Sequence, residues 1–278
     1  MSLGENEPNN AKLIHQAIDA GINFFDTADL YQKGLNEEML GRALSAKRND
    51  VIIATKAGNQ WRPDGSGWDW NPRKEYILQA AEKSLKRLQT DYIDLYQLHG
   101  GTLDDPIDET IEAFEQLVQQ GKIRYYGISS IRPNVIREYI QRSRIVSVMM
   151  QYSLLDRRPE EECLGLLRQH QIGVLARGSL AKGLLAGKPA ESFLNYSSAQ
   201  VKDAAAAIGK LSSDKRTPSQ TAIQFVWQHP AVAAAVVGIR TIDQLRDVAK
   251  TANTASLAAS EWQQLSEAFP VNYYDAHR

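Results

Sequence analysis

Four polar side chains in the first hundred residues are of types that suit the reduction of a carbonyl group. Asp26 and Tyr31 lie in the segment Phe25-Asp26-Thr27-Ala28-Asp29-Leu30-Tyr31, and Lys56 and His99 end two later apolar runs. A carbonyl oxygen that gains negative charge on hydride attack needs a proton donor, and a free tyrosine, with a pKa of about 10, is a reluctant one. A lysine ammonium beside the phenol favours the phenolate, and a carboxylate keeps that lysine charged and oriented.

We therefore expect Tyr31 to act as general acid and Lys56 to stabilise its phenolate. Asp26 would support Lys56, and His99 would donate a hydrogen bond to the substrate oxygen or relay a proton. Each residue alone has a plainer interpretation, since Lys56 could be an ion-paired strand end, Asp26 a loop cap and His99 a loop histidine. Their convergence on one edge of a sheet is what favours catalysis.

The elements that must position these groups alternate between buried strands and amphipathic helices. The predicted strands are Ile22 to Thr27, Val51 to Lys56, Tyr92 to His99, Ile123 to Ser129, Val146 to Tyr152, Gly173 to Ala176 and Ala233 to Gly238. The predicted helices are Ala11 to Ala20, Glu37 to Ser45, Arg73 to Leu88, Glu109 to Gln120, Pro133 to Arg142, Glu160 to His170 and Pro218 to His229. This alternation predicts an α/β fold with a parallel sheet and right-handed crossovers.

A closed (β/α)8 TIM barrel is favoured over an open doubly wound sheet. No G-x-G-x-x-G run follows the first strand, and the candidate catalytic residues lie at the carboxyl ends of several strands. Residues 1–278 then form a single barrel domain. Seven strands are predicted and a barrel needs eight, so we expect an N-terminal hairpin and the first strand to precede Met1 in the natural chain.

Composition excludes several classes of protein. The 278 residues carry 32 Lys and Arg against 33 Asp and Glu, a net charge of -1 that gives no general attraction to nucleic acid or anionic lipid. Cys163 is the only cysteine, and the other four histidines have no ligand spacing, which gives no metal site. No apolar run reaches the length of a membrane span and no signal sequence opens the chain. A cytoplasmic protein with a small-molecule carbonyl substrate is expected, with its oligomeric state open.

The chain resembles the aldo-keto reductase family, and in particular bacterial NADPH-dependent oxidoreductases, from about Leu3 to its C-terminus. The resemblance is carried by the four candidate catalytic residues in their segments, by the strand end Gly127-Ile128-Ser129-Ser130, by Gln151-Tyr152, and by Gly238-Ile239-Arg240 with Gln244. It implies a barrel that binds NADPH/NADP+ in an extended pose and reduces aldehydes or ketones to alcohols.

The resemblance also implies the cofactor residues. Ser129 and Gln151 would meet the nicotinamide carboxamide, and Gln244 the adenosine end. Arg240, after Gly238, would grip a 2′-phosphate, because a guanidinium binds phosphate oxygens bidentately. The pyrophosphate would lie along the segment that contains Arg177, Gly178, Ser179, Leu180, Lys182 and Gly183.

Three departures from the family pattern bear on these assignments. Ser130 stands where many relatives have Asn, Arg177-Gly178-Ser179 where many have Tyr-Ser-Pro, and Asp247-Val248 near a common Glu-Asn pair. The planar guanidinium of Arg177 can replace an aromatic ring in stacking on nicotinamide. Val248 cannot replace the hydrogen bonds of an amide to adenine.

A turn-rich loop is predicted at Asn59 to Asn71. Its three tryptophans, Trp61, Trp68 and Trp70, either form a satellite hydrophobic cluster or line the substrate pocket. Two other functions stay open. The chain could be an NADP(H)-binding regulatory or sensor subunit with slow turnover, or an aldolase that forms a Schiff base on Lys56.

Overall fold

The computed structural model describes residues 7–278, which group into two compact units. The first contains the described residues up to Val148 together with Gly238–Ile242, and the second contains Met149–Val237 and Asp243–Arg278. The hairpin and strand expected before Met1 concern residues outside the described range.

The first unit alternates strands and helices as predicted. Its strands are β1 (Phe24–Asp26), β2 (Ile52–Ala57), β3 (Asn59–Trp61), β4 (Trp68–Trp70), β5 (Ile93–Leu98) and β6 (Ile123–Ser129). Its helices are α1 (Glu7–Asp19), α2 (Leu35–Leu44), α3 (Lys74–Leu88), α4 (Ile107–Gln119) and α5 (Pro133–Arg142). The order β1-β2-β5-β6 is parallel throughout, and Lys56, Gln97 and Gly127 are register partners across three neighbouring strands.

Burial explains why these strands form. All six residues of β5 are buried, and so are five of the six in β2, which is the pattern of strands covered on both faces. The helices supply the cover through apolar residues at helical spacing, such as Ile77, Ala81, Leu85 and Leu88 of α3. The carboxyl ends of these strands therefore lie at one edge, where the candidate catalytic residues were predicted.

The segment from Asn59 to Asn71 differs from the prediction of a turn-rich loop, because it contains the antiparallel hairpin β3–β4. Trp61 and Trp68 are register partners, and the Arg62 guanidinium binds the Asp69 carboxylate across the strands at 2.6 Å. Cross-strand aromatic and charge pairs of this kind stabilise a hairpin. Asp64 accepts a hydrogen bond from the Ser66 amide in the connecting turn.

The second unit repeats the alternation. Its strands are β7 (Ser147–Gln151), which begins in the last residues of the first unit, β8 (Gly173–Arg177) and β9 (Val232–Val236). Its helices are α6 (Cys163–Gln169), α7 (Ser198–Lys210), α8 (Pro218–Trp227), α9 (Ile242–Ala249) and α10 (Ala259–Ala268). β8 and β9 are parallel, with Leu175 beside Ala234. Capping boxes at Ser197 and Thr217 fix where α7 and α8 begin.

Candidate active site

Lys56 and Asp26 form a buried ion pair at the carboxyl ends of β2 and β1. The Lys56 Nζ donates to Asp26 Oδ1 at 2.7 Å, to Asp26 Oδ2 at 2.6 Å and to the Thr27 carbonyl at 2.8 Å. Lys56 is 1 % exposed. Since a lysine ammonium has three protons, all of them are used by these acceptors. The pair therefore holds a fixed positive charge beneath the loop that follows β1.

Tyr31 lies against this charge, and His99 lies against Tyr31. The Lys56 Nζ is 5.3 Å from the centroid of the Tyr31 ring, and the Tyr31 and His99 rings meet edge to face with centroids 5.8 Å apart. The His99 amide donates to the Ala57 carbonyl at 2.8 Å, which fixes His99 at the end of β5. The Tyr31 side chain is half-buried, and its hydroxyl makes no hydrogen bond to another described residue. The structure thus brings the four candidate catalytic residues together within the first unit.

Two of the three tryptophans border these residues. Trp61 Nε1 donates to the Leu30 carbonyl at 3.2 Å, next to Tyr31. Trp70 Nε1 donates to Asp105 Oδ1 at 2.8 Å, and its ring lies over Gly58 and Gly100, where an added Cβ would approach ring atoms to 2.6 and 3.2 Å respectively. Trp68, in contrast, is 47 % exposed. A lining role is therefore a stronger prediction for Trp61 and Trp70 than for Trp68.

Sequence reasoning missed a second buried carboxyl group near the site. Asp29 is buried two residues before Tyr31, and Tyr76 of α3 donates its hydroxyl to Asp29 Oδ2 at 3.1 Å. Burial, followed by the negative charge of Glu37, raises the pKa of Asp29 to about 7. Burial and the charge of Asp29 raise the pKa of the Tyr76 phenol above its usual range. The sequence shows Asp29 as a further acidic residue between Asp26 and Tyr31, but its partner Tyr76 is 47 residues away.

In the second unit, three of the predicted cofactor residues lie together. Arg177 Nη1 donates to Gln151 Oε1 at 3.1 Å, and Gln151 Nε2 donates to Asp156 Oδ2 at 2.8 Å. An added Cβ at Gly178 would approach the Gln151 Cγ to 3.2 Å. Arg177 and Asp156 therefore hold both ends of the Gln151 amide, which orients the group predicted to meet the carboxamide.

The segment that follows β8 has the features of a loop that binds an anion. Gly178, Ala181, Lys182 and Gly183 have positive φ, which turns the backbone sharply after Arg177. Ser179 is 1 % exposed, and its Oγ has no hydrogen-bond partner among the described residues. A buried hydroxyl without a partner is costly unless a ligand or water completes its hydrogen bonding. These residues, with Leu180, fit the pyrophosphate that the family resemblance predicts here.

The remaining predicted cofactor residues are placed at element ends. Ser129 is the last residue of β6, Gly238 and Arg240 lie exposed between β9 and α9, and Gln244 is exposed in the first turn of α9. Among residues 7–278, no group of three or more His, Cys, Asp or Glu side chains is arranged to bind a metal ion. None of the described helices is long and apolar enough to cross a membrane.

Parallel strands that alternate with helices and carry ionisable residues at their carboxyl ends are the arrangement found in (β/α)8 enzymes. The profile of the Aldo/keto reductase family matches residues 1–269. The chain belongs to the aldo/keto reductase family and is thus an oxidoreductase.

Individual relatives agree with this assignment. "Uncharacterized oxidoreductase YqkF" of Bacillus subtilis (strain 168) is 50% identical over 287 aligned residues, which cover 100% of this chain and 93% of the relative. The solved structure of aldo-keto reductase AKR11C1 from Bacillus halodurans in its holo form matches with a TM-score of 0.94 and 48% identity, covering 100% of this chain and 92% of that one. The aldo/keto reductase from Klebsiella pneumoniae in complex with NADP and acetate matches with a TM-score of 0.80 and 26% identity, covering 99% and 94% of the two chains. These similarities confirm the predicted fold class, the (β/α)8 barrel of the family.

Proposed function

We propose that this protein reduces aldehydes or ketones to alcohols with NADPH, and that Tyr31 is the general acid. The observation that carries the proposal is the arrangement of Tyr31 between the buried Lys56 ammonium and the His99 ring. When bound, the nicotinamide cofactor supplies the hydride.

The protein's own groups would act on the carbonyl oxygen. The Tyr31 hydroxyl donates its proton to that oxygen, and the Lys56 charge stabilises the phenolate that remains. Asp26 keeps Lys56 charged and in place, while His99 donates a hydrogen bond to the same oxygen. The product alcohol has then received its proton from Tyr31.

For the cofactor, we propose that Ser129, Gln151, the loop from Arg177 to Gly183, Gly238, Arg240 and Gln244 contact NADPH. The unpartnered Oγ of Ser179 and the fixed amide of Gln151 support this assignment. Preference for NADPH over NADH rests on Arg240 as a partner for the 2′-phosphate. A relative from Schizosaccharomyces pombe named "Aldo-keto reductase yakc [NADP(+)]" is 36% identical over 186 residues and agrees with this preference.

A Schiff-base aldolase is disfavoured by the same geometry. The Lys56 Nζ is surrounded by three acceptors, and Asp26 holds it as an ammonium, which has no lone pair for attack on a carbonyl. Borohydride should therefore trap no carbonyl compound on Lys56.

The first test is a fluorescence titration with NADPH and NADH, followed by NADPH consumption with a panel of aldehydes. We expect tighter binding of NADPH and measurable turnover. Tyr31→Phe should lower kcat by about 10²- to 10⁴-fold without weakening NADPH binding. Tyr125→Phe, at an exposed tyrosine of β6, is the matched control and should retain activity. Tight binding without turnover of any aldehyde would instead indicate a regulatory or sensor subunit.

A further inference from the structure

A chain of hydrogen bonds connects three loops at the carboxyl edge of the first unit. It does not include the side chains of the proposed proton donor, Tyr31, or of Lys56 and Asp26. The Tyr76 hydroxyl lies 3.1 Å from Asp29 Oδ2 and 3.3 Å from the Asn59 carbonyl. Asn59 Nδ2 donates to the His99 carbonyl at 3.2 Å. Asp29 is in the loop after β1 and its amide donates to the Lys56 carbonyl, so the chain reaches from the segment that contains Tyr31 to His99.

Among the described residues, the Asp29 carboxyl group makes no ion pair, and the nearby Arg87 guanidinium lowers its pKa less than burial raises it. Glu37 of α2 is fully buried and takes the Arg87 guanidinium of α3, with a nitrogen to oxygen distance of 2.6 Å, while Lys56 is bound to Asp26. The other groups that face Asp29 are the phenols of Tyr76 on α3 and Tyr96 on β5. Two buried carboxyl groups therefore share one guanidinium, and it binds Glu37. An uncompensated buried carboxyl group keeps its proton to higher pH, in agreement with the pKa of about 7 for Asp29.

The number of available protons decides whether the chain is complete. A tyrosine hydroxyl has one proton, and Tyr76 has two acceptors within reach, the Asp29 carboxylate and the Asn59 carbonyl. When Asp29 is ionised, the stronger acceptor is the carboxylate, and the Asn59 carbonyl receives nothing. When Asp29 is protonated, its own O–H can donate to the Tyr76 oxygen and Tyr76 can donate to Asn59, so that both contacts are hydrogen bonds.

We propose that Asp29 and Tyr76 are positioning residues for carbonyl reduction, and that protonated Asp29 completes a chain through Tyr76 and Asn59 that holds the Tyr31 loop against the His99 loop. Loss of that proton breaks one contact of the chain and loosens the placement of Tyr31 relative to His99. Small displacements of reacting groups lower turnover by up to about a hundredfold. The part that concerns turnover rests on the proposed function above.

The state of the chain can be measured without any activity. Trp61 Nε1 donates to the carbonyl of Leu30, the residue between Asp29 and Tyr31, so the Trp61 indole reports on this loop. In protein labelled with 5-fluorotryptophan, we expect the ¹⁹F resonance of Trp61, assigned from Trp61→Phe, to titrate with a midpoint near pH 7. The titration should disappear in Asp29→Asn. A resonance that does not move, or one that titrates alike in Asp29→Asn, would overturn the proposal.

The second measurement is the pH profile of kcat/KM for aldehyde reduction. We expect the wild-type value to fall above pH 7, and Asp29→Asn to remove this fall, because an amide N–H can donate to Tyr76 as the protonated acid does. Tyr76→Phe should lower kcat by about tenfold or more below pH 7, with little change in KM, and the difference from the wild type should shrink above pH 7. Tyr126→Phe is the matched control, since the Tyr126 hydroxyl also donates to a carboxylate, that of the half-buried Glu115. This variant should keep the wild-type profile.

These outcomes separate the two proposals. Absence of carbonyl reduction with every aldehyde would refute the proposed function, while the ¹⁹F titration would still decide whether Asp29 governs the loop. Reduction with the same pH profile in wild type and Asp29→Asn would leave the function intact and refute the positioning role.

Discussion

The two ends of the parallel sheet in the first unit differ in how carboxylates and cations are paired. At the amino ends of the strands, Asp94 accepts from Arg48 Nη2 at 2.7 Å and from Arg124 Nη1 at 2.9 Å. Both guanidinium carbons lie 3.9 Å from the centroid of the Tyr92 ring, and Arg48 also binds three backbone or hydroxyl oxygens. One carboxylate there has two cations and an aromatic ring.

At the carboxyl ends, each cation has one carboxylate and some groups have no charged partner. Lys56 is bound to Asp26. Among the described residues, Asp29 makes no ion pair and the Tyr31 hydroxyl makes no hydrogen bond. From this difference we expect the amino end to contribute to stability and the carboxyl end to interact with a substrate. Enzymes of the (β/α)8 class divide their two faces in this way.

The largest effect at the carboxyl end is expected from Lys56→Met. Loss of a fixed charge beside the proton donor should lower kcat by about 10²- to 10³-fold. Because the buried Asp26 carboxylate then has no cation, the free energy of unfolding should also fall by about 3 to 5 kcal/mol. Urea denaturation and steady-state kinetics measure the two effects, with Lys86→Met on the exposed face of α3 as control. Full activity in Lys56→Met would contradict the assigned role.

At the amino end, Asp94→Asn should change stability without changing chemistry. Asp94 and Arg48 side chains are 8 and 13 % exposed, so the variant leaves a buried guanidinium without its carboxylate. We expect a loss of about 3 kcal/mol in the free energy of unfolding and an unchanged kcat at temperatures where the protein is folded. A loss of activity larger than the loss of folded protein would mean that the two ends are not separate in function.

The pH dependence of stability tests the environment of Asp29. In the native state Asp29 keeps its proton to about pH 7, whereas in the unfolded chain the same carboxyl group loses its proton near pH 4. The unfolded state therefore binds fewer protons than the native state between these pH values. Stability should therefore fall as the pH rises through this window, by about 2 kcal/mol between pH 5 and pH 7. Asp29→Asn should remove this part of the slope in urea titrations at several pH values. Parallel slopes in the two proteins would exclude the raised pKa.

The smallest effect is expected from Arg124→Ala. The Arg124 side chain is 55 % exposed, and an exposed ion pair contributes up to about 1 kcal/mol. The thermal midpoint should therefore move by only a few degrees, and less at high salt, where exposed charges are screened. A loss near that of Asp94→Asn would show that Arg124, rather than Arg48, is the main partner of Asp94.

The carboxyl edge of the sheet could be predicted from sequence because its elements depend on local pattern. The strands that end at Asp26, Lys56 and His99 are short apolar runs, and the structure gives their bounds within about two residues of the prediction. Parallel strands end at one edge, so the convergence of these side chains followed. Pro133 at the start of α5 fixed that helix in the same local manner.

Other parts depend on contacts between distant residues and could not be predicted. The β3–β4 hairpin was interpreted as a loop because each strand has three residues and the segment between them is rich in Gly, Pro and Asp. The pairing of Trp61 with Trp68 and the ion pair of Arg62 with Asp69 contribute to its stability. The role proposed for Asp29 depends on Tyr76, and the orientation of Gln151 depends on Arg177. Neither partner is visible in the local sequence.

The ring of Trp70 lies over Gly58 and Gly100 and is anchored by Asp105, a residue of the loop after β5. Because both glycines have positive φ and lack the room for a Cβ, neither position can accept another residue without strain and a displaced ring. The indole has no such restriction, since a smaller side chain at position 70 would leave both backbones unchanged. We therefore expect substitutions to be tolerated more readily at position 70 than at either glycine, while the strand ends that hold Lys56 and His99 stay constant.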